Sequence, residues 1–545
     1  MNAARQPRRT ELLLLIACCG FLFFFGLASF GLVGADEPRN AQVAREMLDR
    51  GNWVMPTLNG RPWLEKPPLY YWQAMLAYRA GRWFEPDEGG VNDRTARLPG
   101  ALDAALMIAA IYFFLRRIGP GSELDGALIA ASSAAIIGFS RAASTDMPLA
   151  TTFTIALVAW FRWYQDRGKA NLVLFYVFLA LATLAKGPVA PALSAVIVLL
   201  YVAIKREWSS AYGTLYLPGI VLFLVVSLPW YIAVQLNNRD FFRVFFLEHN
   251  LARFSSNLYH HPQPFWFYVP VFLLATLPWT AFLIAATAER LRTLGRERNA
   301  IADPDNSWPL FLLVWIFVPL VFFSASQSKL PGYILPAVPA AALLVADYLF
   351  SRSKHGKRIS PALAVTHGMV CGLLVFAALA AASVAWSAPR HLTRTPGNYA
   401  AAAIAAMFTL SVSGTLLTHA GLRLLRPVSL LAVIVGVAAV ISLAAPAIDA
   451  TQSARPIART IQAFSREPVP VSLYHTNRET EYGLDFYLNR PTQTYDSSGI
   501  PHEAHLLVAA ADSAPELTRL LGSRRVSYLT SIPAQKLELY WVGAK

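Results

Sequence analysis

Residues 11–37, ELLLLIACCGFLFFFGLASFGLVGADE, decide the fold class. Glu11 to Gly34 form one apolar stretch, long enough as a helix to cross the ~30 Å hydrocarbon core of a bilayer. Arg5, Arg8 and Arg9 precede it, and the acidic pair Asp36 and Glu37 follows at once. The outline resembles a secretory leader, but the apolar core is too long and no small-residue cleavage site follows cleanly. The run therefore reads as a retained first span with a cytoplasmic N-terminus. Its adjacent cysteines, Cys18 and Cys19, read as small buried hydrophobes and make a poor disulfide pair.

Working outward, similar runs recur near 97–115, 126–140, 147–163, 171–185, 188–204, 214–235, 266–287, 308–325, 333–350, 361–387, 399–418 and 427–446. With the first run they give about thirteen spans of the length a bilayer requires. Composition agrees: 55% of residues are hydrophobic and only 15% charged, with mean hydropathy +0.41. Soluble domains carry roughly a quarter charged residues, so soluble, disordered, collagen-like and disulfide-scaffold classes are excluded. The expectation is an all-α polytopic membrane protein. The formal net charge is +14, yet the cations form no single stripe of the kind nucleic acid requires. They sit in short loops, where topology and anionic lipid account for them.

Threading the spans alternately collects Arg116, Arg117, Arg162, Arg167, Lys169, Lys205 and Arg206 on one side. The clusters at 290–298, 352–358 and 423–426 join them, and the positive-inside rule makes that side cytoplasmic. The loop with Arg390 and Arg394 is the mild dissenter. An odd number of spans puts the C-terminus outside. From about Ala447 the chain turns polar, and residues 447–545 read as a small periplasmic α/β domain, with 1–446 as the membrane domain. Strands are expected at 470–474, 505–509 and within 526–542, and helices at 455–465 and 515–521. Between the first two spans, within 35–96, residues 38–50 and 67–84 have amphipathic helix patterns, the second rich in Tyr and Trp. Both are expected to lie on the outer membrane surface.

Charges that stay at span ends are paired or functional. Asp36 and Glu37 open the first amphipathic helix, where capping and catalysis are equally good readings. Lys66 sits in WLEKPPLYYW, Arg141 and Asp146 in SRAASTDMP, Lys186 in LAKGPVA, Arg253 in HNLARF, and Lys329 and Tyr333 in QSKLPGYILP. Any one of these cations alone could be snorkelling. Arg141, Lys186, Arg253 and Lys329, four on the side that should be poor in positive charge, together ask for an anion, and a phosphate at headgroup depth fits their charge-assisted hydrogen bonds. An ordinary phospholipid headgroup is the competing anion. His249, His260 and His261 could meet a divalent cation together with Glu65, though hydrogen-bonding histidines are the commoner outcome, so a metal requirement is unknown from sequence. No Walker loop, dinucleotide fingerprint or HExxH helix is present.

Taken in order, DEPRNAQVAREMLDRGNWVMPTLNGRPWLEKPPLYYW, TDMP, AKGP, EHNLARF and SKLPGYIL resemble the membrane glycosyltransferases of the C-type (GT-C) fold. That family takes in bacterial lipid A aminoarabinose transferases and dolichyl-phosphate-mannose-dependent protein mannosyltransferases. The resemblance covers roughly residues 10–350 and departs from the usual DERYAE at Pro38 and Asn40. It implies an undecaprenyl-phosphate donor carrying 4-amino-4-deoxy-L-arabinose, and a lipid A phosphate as acceptor at the periplasmic face of the inner membrane. It also implies catalytic roles for Asp36 and Asp146, and substrate binding by Glu37, Lys66, Lys186, Arg253, Lys329 and Tyr333. A transferase with a protein or other glycan acceptor, or a flippase or transporter of a lipid-linked sugar, are the alternatives. A secondary transporter should show internal repeats and ionisable groups at the bilayer midplane, whereas these charges cluster at outer ends.

Overall fold

The computed structural model describes residues 9–84, 89–252, 263–296, 301–384, 396–418, 421–464 and 469–545. Among them, eight helices are long and apolar enough to cross a membrane, or ten if each of two bent pairs is one span. The bent pairs are Glu123–Ala131 with Ala134–Ser140, and Phe265–Ala275 with Thr280–Arg296. Three further elements fall on the remaining expected spans without meeting that measure: Arg9–Cys19 continued by Gly20–Phe24, Asp146–Asp166, and Val189–Lys205. Thirteen crossings is our proposed count.

Lipid tails are as apolar as leucine, so span packing rests on close contact rather than on exclusion of water. Two devices supply it here. Gly368 and Gly372, four residues apart on helix Pro361–Val384, let helix Pro396–Leu417 approach so closely that a Cβ at Gly372 would stand 2.0 Å from Thr409 Oγ1. Elsewhere, Trp160, Phe161, Tyr201, Phe311 and Trp308 interlock, with Phe161 and Trp308 ring centroids 4.7 Å apart.

The helices have a basic end and a site end. Lys169–Lys186 runs toward the site, and Val189–Lys205 returns from it. At the basic end Lys205 Nζ donates to Ile301 O (2.7 Å) and Ser307 Oγ (3.1 Å). There too Arg290 pairs with Asp347 at 2.7 Å, and Arg426 with Asp125. Helix Ser307–Ala325 starts at this end and finishes beside Ser326 at the other.

A two-residue hairpin, β1 (Thr57–Leu58) with β2 (Arg61–Pro62), follows helix Asp36–Asp49. The C-terminal unit is a five-stranded mixed sheet of β3 (Val471–Tyr474), β4 (Gln493–Thr494), β5 (His505–Ala510), β6 (Val526–Ile532) and β7 (Leu537–Val542), in the order β4-β3-β5-β7-β6. β3 runs parallel to β4 and β5, and β7 antiparallel to β5 and β6. Helices Arg455–Phe464 and Ala514–Leu521 fall where expected; helix Arg478–Leu488 was not anticipated.

That helix corrects the surface placement of the first amphipathic segment. Helix Asp36–Asp49 is enclosed between Leu69–Phe84 and Arg478–Leu488 instead of lying on lipid, with Ala41, Val43, Ala44 and Met47 fully buried. The cause is polar as well as apolar: Arg45 donates to Phe486 O (2.7 Å) and Asn489 Oδ1 (3.1 Å). Helix Leu69–Phe84 keeps Leu76, Trp83 and Phe84 exposed.

Candidate active site

Glycine and proline aim the polar side chains. Lys186 ends its helix because Gly187 takes φ +85°, a backbone that only glycine adopts freely, and Pro188 then opens the returning helix. Lys66 precedes Pro67 and Pro68, which fix an extended turn before helix Leu69–Phe84. Asp146 opens helix Asp146–Asp166, where Pro148 is tolerated in the first turn.

These turns converge on a cavity of about 530 Å³. Lys66, Lys186, Tyr333, Glu65 and His249 supply its polar rim, and Ser326 and Ser328 close one side. The rest is apolar: Phe245, Phe246, Phe322, Phe323, Val189 and Leu149. Lys186 pairs with Asp146, and its Nζ lies 5.0 Å from the Tyr333 ring centroid. A ring face attracts a cation, so Tyr333 and Asp146 together fix where that charge sits. Lys329 is buried at the edge, its Nζ donating to Ser326 O at 2.5 Å.

Asp36 does not line this cavity. It is 65% exposed and pairs with Arg39 one turn on. The cap position is Ala35, with no side-chain hydrogen bond, so Asp36 is not the helix cap. Arg39 stacks against Trp63 (4.9 Å) and Tyr482 (5.6 Å), the latter from the C-terminal unit. Burial works against the Arg39 charge, but Asp36 and then Glu65 more than restore it, holding the guanidinium above its ordinary value. Arg39 thus links Asp36 electrostatically to Glu65 on the cavity rim. Burial also pushes the Tyr71 hydroxyl above its usual range, against the opposing field of Arg39.

Glu37 departs from the substrate-binding expectation. It is 6% exposed, and both oxygens are engaged inside the protein. Arg97 donates Nε to Oε1 (3.0 Å) and Nη2 to Oε2 (2.7 Å), while Ala143 N and Val33 N donate at 2.7 and 2.8 Å. Arg97 also donates to the carbonyls of Leu27, Phe30 and Gly31, each at 2.8 Å. Asn40 donates to Ala143 O at 3.1 Å. The end of the first span, the start of helix Asp36–Asp49 and the loop before Asp146 are therefore tied together. Sequence reasoning missed Arg97, whose only signal is a cation just inside an apolar run. It also missed Arg39.

Arg253, His260 and His261 lie outside the described residues. Glu65 Oε1 and His249 Nε2 stand 3.8 Å apart. Among the described residues no group of three His, Cys, Asp or Glu side chains is placed to hold a metal ion.

Such a bundle, with Lys66 and Lys186 over an apolar cavity at one set of helix ends, is that of a polytopic membrane protein, and its fold is the C-type glycosyltransferase fold of the following structure. The crystal structure of ArnT from Cupriavidus metallidurans bound to undecaprenyl phosphate superposes with TM-score 0.76, at 21% identity, over 98% of both chains. Residues 65–232 match the family described as dolichyl-phosphate-mannose-protein mannosyltransferase. An undecaprenyl phosphate-alpha-4-amino-4-deoxy-L-arabinose arabinosyl transferase from Pseudomonas aeruginosa is 33% identical over 362 residues, 65% of this chain and 62% of that protein. A Pseudomonas fluorescens protein of the same name is 31% identical over 382 residues, 69% of this chain and 66% of its own length. The chain is similar to these C-type membrane glycosyltransferases in sequence and in fold. Its aligned region spans just under two thirds of the length of these relatives.

Proposed function

We propose that the chain transfers 4-amino-4-deoxy-L-arabinose from undecaprenyl phosphate to a phosphate of lipid A. The cavity carries this reading: Lys66 and Lys186 converge over an apolar pocket, which suits an anionic headgroup on a hydrocarbon chain. The leaving group is a lipid monophosphate, so fixed cations aimed at its growing charge are where the barrier is lowered. Lys66, Lys186, Lys329, Arg253 and Tyr333 are assigned to that phosphate. A lipid A phosphate is already ionised, so Asp36 then positions the acceptor or binds the sugar's ammonium group. With a hydroxyl acceptor, Asp36 would be the general base. Asp146 orients Lys186, and Glu37 acts as a positioning residue rather than a ligand.

Labelled donor incubated with lipid A in detergent, without any membrane gradient, is expected to release sugar onto lipid A. Release onto a peptide acceptor would change the acceptor assignment, and no release at all would favour a flippase. In the same assay Lys66→Ala should lower turnover at least about tenfold, because a charge-assisted contact is worth roughly 1.5–3 kcal/mol. Full activity of that variant would place the donor phosphate elsewhere.

We further propose residence in the bacterial inner membrane, with the basic helix ends in the cytoplasm and the C-terminal sheet unit, residues 447–545, in the periplasm. A reporter that fluoresces only in the cytoplasm, fused after Lys545, is expected to stay dark; a bright fusion would invert the orientation.

A further inference from the structure

At the basic end, away from the cavity, a groove of about 680 Å³ opens between helices Thr280–Arg296, Val338–Lys354 and Pro361–Val384. Its mouth carries Arg292, Arg296 and Arg352 against one carboxylate, Glu289. Glu289 is already taken, since Arg352 Nη2 donates to it at 2.9 Å. Arg352 Nη1 donates to Arg358 O at 3.0 Å, its plane covers the Tyr348 ring at 4.8 Å, and its Nε is buried without a partner. Arg292 and Arg296 are exposed, one turn apart on the same helix face, and make no ion pair among the described residues. Like charges at that spacing repel, so the pair is destabilising unless an anion sits between them.

The wall above the arginines is apolar. Ala281, Ile284, Ala285 and Ala288 follow one helix face at the 3.6-residue period, with Leu363 opposite. A ligand here meets three guanidiniums at headgroup depth and then a narrow strip of small side chains running into the bilayer. Among the described residues that line the groove, three positive charges stand against one negative charge, an excess of two.

We propose that this groove binds an anionic phospholipid of the leaflet at the basic end, its phosphate on Arg292 and Arg296 and one acyl chain along the alanine strip. Basic pockets between spans are where anionic headgroups are held. The excess of two charges selects against a zwitterionic lipid, whose own cation would meet the same arginines.

The test titrates the purified full-length protein in neutral detergent with dioleoylphosphatidylglycerol, dioleoylphosphatidylcholine or inorganic phosphate. Thermal unfolding and native mass spectrometry are the readouts. Phosphatidylglycerol is expected to raise the unfolding temperature and to stay bound in the gas phase, while the other two do neither. Arg292→Ala combined with Arg296→Ala should weaken phosphatidylglycerol binding about tenfold or more. Arg116→Ala with Arg117→Ala, on the same end of the bundle, should leave it unchanged. Glu289→Gln, which frees Arg352, should tighten it. Undiminished binding in the first double variant, equal loss in both double variants, or an equal response to phosphatidylcholine or phosphate would each overturn the site.

Discussion

Asp36→Asn is expected to lower sugar transfer roughly ten- to a hundredfold, the loss of one charge-assisted contact to the acceptor or to the sugar's ammonium group at about 1.5–3 kcal/mol, with the protein still inserting and purifying normally. The stability half follows from the surroundings of the side chain. Asp36 is mostly exposed, and its only described partner is Arg39 in an i,i+3 pair. Arg39, 16% exposed, keeps Glu65 and the Trp63 and Tyr482 rings as partners, so losing Asp36 should cost only about 1 kcal/mol. No cap is lost, because the cap position is Ala35. The activity half follows from charge: Asn keeps the size and an acceptor oxygen but loses both the negative charge and the basicity. Steady-state transfer from labelled donor, beside thermal unfolding of the same preparation, separates the two. A fall in kcat without a fall in unfolding temperature is the expected outcome. Transfer within a few-fold of the wild type would remove Asp36 from the chemistry and leave Asp146 as the carboxylate to test. Asp146→Asn has a different signature, since it leaves Lys186 without its partner in the cavity.

Membrane character was legible because the bilayer imposes one length on every span, and a run such as 308–325 can satisfy little else. Lys66 and Lys186, which line one cavity, stood out for a related reason: charge at a span end is costly unless used. Three things were not legible. A bent span reads as one apolar run, yet Glu123–Ala131 and Ala134–Ser140 meet at 63°; periodicity does not report a change of axis. The helix Asp36–Asp49 was placed on lipid because amphipathicity says only that one face is apolar, not what covers the other. Arg45 and Asn59 face partners more than four hundred residues away, Phe486 O and Asp485 Oδ2. No local pattern encodes such a pairing. The partners of Glu37 were hidden for the complementary reason. It neighbours Asp36 in sequence, but successive helical residues point about 100° apart, so one faces outward and the other meets Arg97.

The second large effect is expected at Arg97. Arg97→Met should cost about 3–5 kcal/mol, because it strands the Glu37 carboxylate in a buried site and removes its charged partner. Glu37→Gln should be milder, since its amide oxygen can still accept from Ala143 N or Val33 N, and Arg97 keeps the three carbonyls of Leu27, Phe30 and Gly31. The double variant tests whether the pair acts as a unit. If the loss in Arg97→Met comes mainly from the stranded carboxylate, adding Glu37→Gln should recover part of it, giving a coupling energy of ~0.5–3 kcal/mol. If the loss comes from the three unserved carbonyls, the second change should recover nothing. Function is expected to follow stability only in part. The network joins the first span's end to Ala143, three residues before Asp146, so loosening it should misplace Asp36 and Asp146 relative to the donor phosphate. Misplacement by ~1 Å can cost about a hundredfold in rate. Transfer by folded Glu37→Gln protein should therefore drop in kcat more than its modest destabilisation implies, while donor KM, which we assign to Lys66 and Lys186, should change little. A Glu37→Gln variant with wild-type kcat would reduce the network to packing and leave Asp36 positioned by Arg39 alone.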